Sequence, residues 1–176
     1  MKYFLTAILY LMLTSVSCKK HKDSDKLPPI TQIGANTFGC LVNGKVWVPK
    51  GYNGNGTPNP RLSLDFFNSR NTFSINTYQF ENNNPAGFIS LSFLDTIIRA
   101  GVYTYPDKMN FSVGWEKAIG SCFTQAFDTS VKKWGEAILT KYDNTLRIAS
   151  GTFNFKFKAQ TCDTVYITSG RFDFKF

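Results

Sequence analysis

Apolar and polar residues alternate one by one along much of this chain. In GTFNFKFK, Gly151 to Lys158, the phenylalanines Phe153, Phe155 and Phe157 fall on one side and Asn154, Lys156 and Lys158 on the other, the period of two that a half-buried strand requires. RFDFKF, Arg171 to Phe176, repeats the design with Phe172, Phe174 and Phe176. If the two segments pair antiparallel, Asp173 can face a lysine across the ladder. RLSLDF (Arg61 to Phe66), NTFSINTY (Asn71 to Tyr78) and FISLSFL (Phe88 to Leu94) carry the same signal. Turn chemistry punctuates these runs at Asn43-Gly44, Asn53-Gly54, Asn84-Pro85, Tyr105-Pro106-Asp107, Asp143-Asn144 and Ser169-Gly170. FGCLVNGKVWV, Phe38 to Val48, reads as a hairpin, because Asn-Gly tolerates the positive φ of both central residues of a type I′ turn. About ten strands and no helical stripe predict an all-β fold. That many strands exceed what one flat sheet carries before it curls or splits, which favours an antiparallel β-sandwich, with a closed lipocalin-like β-barrel as the alternative.

The first residues follow a different pattern. Met1 and Lys2 precede a run from Tyr3 to Leu13 that is apolar except for Thr6, and Ser15, Val16 and Ser17 then lead into Cys18. This is the layout of a secretory signal, and it is shorter than the roughly 20 residues needed to cross a bilayer. A lipoprotein peptidase would cut before Cys18 and leave that cysteine acylated. An ordinary signal peptidase would use Ser15 and Ser17 at the same bond. Acylation is the expected outcome, since the alternative is an exposed, unpaired thiol at a secreted N-terminus. The segment to Ala35, rich in lysine and poor in large apolar residues, reads as a flexible tether. The expected organisation is therefore a signal peptide at 1–17, a lipidated N-terminus and tether at 18–35, and one all-β domain at 36–176.

Charge and cysteine usage narrow the function classes. The formal net charge of +8 falls to +5 from Asn36 onward, where 15 Lys and Arg face 10 Asp and Glu. No basic cluster is longer than Lys132-Lys133, so nucleic acid is not an expected partner. Export permits disulfides. Cys122 and Cys162 sit in polar settings and form the preferred pair, while Cys40 alternates with Phe38 and Val42 as a small buried hydrophobe. Without any CxxC spacing, no metal site or cofactor is expected.

The chain offers little for catalysis. Its one histidine, His21, lies in the tether, which removes histidine-based nucleophile systems and histidine zinc sites from the domain. A pair of carboxylates drawn from Asp65, Glu81, Asp95, Glu116, Asp128 and Glu136 is the remaining route, to glycoside cleavage, and strand faces or turns are the simpler assignment for each. Candidate ligand-binding residues are Tyr52, at the head of the polar loop YNGNGTPNP, and the aromatic platforms Trp47, Trp115 and Trp134.

Two end blocks carry a resemblance. PPITQIGANTFGCLVNGKVWVPKG, Pro28 to Gly51, and ILTKYDNTLRIASGTFNFKF with TVYITSGRFDFKF, Ile138 to Phe157 and Thr164 to Phe176, resemble a family of short Bacteroidetes lipoproteins of uncharacterised function. The resemblance is confined to these end blocks and implies an exported, lipidated, all-β protein, with no activity or catalytic residues attached. The sequence therefore leads to a non-enzymatic outer-membrane lipoprotein of the cell envelope, held in the membrane through Cys18. Its β domain would serve a structural or protein-interaction role; a glycan- or small-ligand-binding lipoprotein is the alternative, and a carboxylate-based glycosidase a remote one.

Overall fold

The alternation resolves into two antiparallel sheets laid face to face. The computed structural model describes residues 26–51, 61–67, 70–81, 84–115, 122–125, 128–159 and 162–176. In chain order the strands are β1 (Thr37–Val42), β2 (Lys45–Trp47), β3 (Arg61–Phe67), β4 (Arg70–Glu81), β5 (Asn84–Asp95), β6 (Gly101–Thr104), β7 (Met109–Trp115), β8 (Phe123–Thr124), β9 (Lys132–Asp143), β10 (Ile148–Lys158) and β11 (Val165–Lys175). Six of them form one sheet in the order β2-β1-β11-β10-β9-β6, and five form the other in the order β3-β4-β5-β7-β8. The sheets keep separate edges. The architecture is thus a β-sandwich, and the barrel alternative is set aside.

Local chemistry sets the register. Asn43 and Gly44 have φ of 47° and 80°, both positive, as the hairpin joining β1 to β2 demands. The hairpin tip is fastened to β11: the Asn43 amide donates to the Tyr166 carbonyl at 2.8 Å, and the Tyr166 amide donates to Asn43 Oδ1 at 2.8 Å. Two turn expectations need correction. Asn84-Pro85 opens β5 instead of reversing the chain. Ser169-Gly170 lies within β11, where Ser169 takes a φ of 53° and the pairing with β10 shifts between Phe153 and Phe155. This irregularity is held by the Ser169 amide donating to Asn154 Oδ1 at 2.9 Å. A turn dipeptide has become a bulge because tertiary pairing on both sides continues the strand through it.

The core is a phenylalanine stack set on glycines. Phe153 pairs with Gly170, and Phe172 with Gly151. A Cβ on Gly170 would come within 2.4 Å of the Phe153 ring, and one on Gly151 within 2.7 Å of Phe172. Glycine at these positions therefore makes room for a ring lying flat on the neighbouring strand. The rings continue across the layers: Phe155 stacks on Phe111 at 4.2 Å between centroids, and Trp115 on Phe157 at 6.5 Å. Cys122, just before β8, is disulfide-bonded to Cys162, in the β10–β11 connection, with a Cα–Cα distance of 5.7 Å. The bond ties the two layers together and closes a 40-residue separation, for which chain entropy gives about 4 kcal/mol of stabilisation. Cys40 is a buried free thiol, and burial pushes its pKa far up.

The tether boundary also needs correction. Residues expected to be flexible up to Ala35 are, from Lys26 onward, laid against the outer face of the six-stranded sheet. Asp173 is the reason. It points to that outer face, not toward a lysine, and its neighbours in register are Thr37 on β1 and Ser150 on β10. Its carboxylate accepts from the Thr31 hydroxyl (2.6 Å), the Ser150 hydroxyl (2.6 Å) and the backbone amides of Ile33 (3.0 Å), Gly34 (2.8 Å) and Ala35 (3.2 Å). Burial alone would raise the Asp173 pKa, but donation from Ser150, Thr31, Gly34 and Ile33 outweighs it and holds the carboxyl at about 2. Residues 26–35 thus form a strap rather than a free linker.

Candidate binding face

The strap covers only part of the outer face of the six-stranded sheet. Pro28 lies over Gly39, and its carbonyl accepts from Arg171 at 3.3 Å. From there the strap runs toward Asp173 and the β9–β10 turn, where the Lys141 amine donates to the Gln32 carbonyl at 3.3 Å. Among the described residues, nothing covers the other half of the sheet, toward Lys158 and Tyr166.

Strand register shows what this bare half carries. Trp134 on β9 pairs with Lys156 on β10, and Lys156 pairs with Tyr166 on β11, so the three form a row across the sheet. Trp134 is 47% exposed and Tyr166 52%. The Lys156 ammonium lies 5.1 Å from the centroid of the Trp134 ring, a cation–π contact. With neighbouring strands about 4.8 Å apart, the two aromatic residues are roughly 10 Å apart across the sheet. Four residues further along β9, in the row of Thr152 and Arg171, Ile138 pairs with Val102, both exposed, and Val46 on β2 is exposed opposite Leu41. Ile30 and Ile33 protrude from the strap. Among the described residues nine large apolar side chains are exposed, and only Ile97 and Leu146 belong elsewhere than to this side of the molecule.

The face is also cationic. Lys132, Lys156 and Lys158 are exposed at its bare end, and Arg171 is half-buried beside the strap. Lys132 and Lys158 stand directly opposite each other on β9 and β10. A like-charge cross-strand pair opposes sheet formation. Glu136, paired with Asn154, is the acidic residue among them.

The residues singled out from sequence are distributed as follows. Trp134 is on this face. Trp47 and Trp115 are not ligand platforms: each is 4% exposed, Trp47 edge-on to Phe38 and Trp115 stacked on Phe157, because both fall on the inward side of their strands. Cys18 and Tyr52 lie outside the described residues, as do His21 and Glu116. Asp95 is ion-paired with Lys108 at 2.9 Å, and the Lys108 hydrogen bond lowers its pKa. Asp128 accepts from the Ser130 hydroxyl (2.6 Å) and amide (2.9 Å), which lower its pKa. Sequence reasoning missed Tyr166, whose signal was its place in the alternating run TVYITSG, on the polar side of the strand. It also missed Lys133, which turns inward over the Tyr105 and Phe111 rings and donates to the Gln125 carbonyl. Burial lowers the Lys133 pKa, against the opposing charge of Asp128.

No family model, no curated protein and no solved structure matches this chain.

Proposed function

We propose that this chain is an exported lipoprotein of the cell envelope, anchored in the outer membrane by acylated Cys18, whose β-sandwich binds and does not catalyse. The observation that carries the binding reading is the exposed row Trp134–Lys156–Tyr166, flanked by Lys132 and Lys158, on a rigid, disulfide-tied sheet. Exposed aromatic residues and closely set like charges lower stability, so their concentration on one face is what a contact surface provides. The carboxylates point the same way. Glycoside cleavage needs one acid with a raised pKa to protonate the leaving group, whereas two of the six candidate carboxylates, Asp95 and Asp128, are shifted down by their own hydrogen-bond donors.

The resemblance of the two end blocks to short Bacteroidetes lipoproteins supports export and acylation, as does the apolar run ending in small residues before Cys18. Metabolic labelling with a fatty-acid analogue tests the anchor. Wild-type protein takes up label and fractionates with membrane, and Cys18→Ala does neither; an unlabelled wild type would refute the anchor.

A further inference from the structure

We infer that the bare half of the six-stranded sheet docks on the anionic headgroup layer of the membrane that holds the anchor. The inference builds on the binding role proposed above and names the partner of that face.

The first ground is where the chain leaves the domain. Asp173 and Pro28 fix the strap to the outer face of this sheet, so the polypeptide departs toward its N-terminus from that side. The strap runs from the Arg171 row toward Asp173, so its free end points toward the bare half. Arg171 shares a register row with Thr152, and Lys156 lies four residues further along β10, about 13 Å away at the usual rise of a strand. Seven residues lie between Cys18 and Lys26, so even a fully extended chain spans no more than about 30 Å between them. An acyl chain on Cys18 therefore keeps the exit face within a short reach of the headgroups. Tethering of this kind turns weak docking into an intramolecular event at millimolar effective concentration, so a small face is enough.

The second ground is composition. Lipid interfaces favour tryptophan and tyrosine, whose rings sit at headgroup depth, together with lysines whose stems lie along apolar surface while the ammonium reaches phosphate. Trp134 and Tyr166 supply the first requirement, and Lys132, Lys156 and Lys158 the second. The Lys132–Lys158 juxtaposition costs stability in water and is relieved when an anionic layer lies over both. Among the described residues, the aromatic pair on the opposite sheet, Tyr78 and Phe88, shares its register row with Gly114 and no lysine. Outward positions of β4, β5 and β7 there include Ser74, Asn76, Ser90, Ser92 and Ser112, all uncharged.

Docking is tested without the acyl chain, so that its failure is separable from failure of the anchor. The exported chain carrying Cys18→Ser, cleaved after Ser17, is mixed with vesicles of neutral phosphatidylcholine or of the same lipid with about a third phosphatidylglycerol, and sedimented. It is expected to bind the anionic vesicles and to be released by 0.5 M salt. Each cation near an anionic leaflet multiplies binding roughly fivefold, so K132Q/K156Q/K158Q weakens it by about 100-fold. The control S90Q/S112Q, on the other sheet, binds as the parent does. Equal binding by the two variants overturns the proposal, as does absence of binding to anionic vesicles. A soluble acidic polysaccharide such as polygalacturonate that captures the protein from vesicles of equal charge also overturns it, in favour of a glycan partner. A melting temperature unchanged in the triple variant confirms that a loss of binding is not a loss of fold.

Discussion

The two outer faces of this sandwich are built from the same alternation and end in opposite surfaces. At the middle of β4, β5 and β7 on the five-stranded sheet, the outward positions Ser74, Asn76, Ser90, Ser92 and Ser112 are short and neutral. Ser74 and Ser92 share a hydrogen bond at 3.1 Å across β4 and β5, and Tyr78 packs against Phe80 and Phe88 at one end. On the six-stranded sheet, one half is covered by the chain's own strap around a buried carboxylate, and the other half displays Trp134, Tyr166 and a group of lysines to solvent. A sheet needs only one buried face to be stable. What stands on the second face therefore reports on use, and here the exposed aromatic and cationic residues gather beside the point where the tether leaves.

Four changes test that contrast. Asp173→Ala should have the largest effect: it strands the amides of Ile33, Gly34 and Ala35, costs about 3 kcal/mol in urea unfolding and opens the strap to protease, making the covered half resemble the bare one. Acid should act on the same clasp by a smaller amount. Because the folded pKa of Asp173 is about 2, below the ordinary carboxylate value, its contribution is complete above about pH 5 and is lost as pH falls through 4 toward 2. About 2 kcal/mol of pH-dependent stability should disappear over that window, and Asp173→Ala should lack this component. Ser74→Ala, on the neutral face, should cost about 1 kcal/mol through its broken bond to Ser92. Trp134→Ala should be the mildest for the fold, within about 0.5 kcal/mol, since nearly half of the side chain is already in water. A cost of several kcal/mol at Trp134 would mean that this face is a structural one.

Much of this was legible in the sequence. Period-two alternation located the principal strands, and Asn43-Gly44 marked the hairpin, because both signals are local. Strand number favoured two sheets over one, but separate edges, which exclude a barrel, are visible only in the pairing. What stayed hidden was long-range. Nothing near Asp173 announces that its ligands are Thr31 to Ala35, some 140 residues earlier, so the tether boundary was set too late in the chain. Ser169-Gly170 carried turn chemistry, yet pairing with β10 drew it into a bulge. Trp47, Trp115 and Trp134 look alike as letters, and only strand register separates the two inward residues from the outward one. Tyr166 escaped notice because an exposed tyrosine on a strand gains its meaning from Lys156 and Trp134 on the neighbouring strands.

Hydroxyl-radical footprinting of the acylated protein in anionic vesicles compares both faces in one experiment. If the six-stranded sheet lies against the headgroups, Trp134 and Tyr166 lose most of their oxidation on going from detergent to vesicles, while Tyr78 on the opposite sheet keeps its rate. Unchanged labelling of Trp134 and Tyr166, or protection of Tyr78 in their place, would contradict the account.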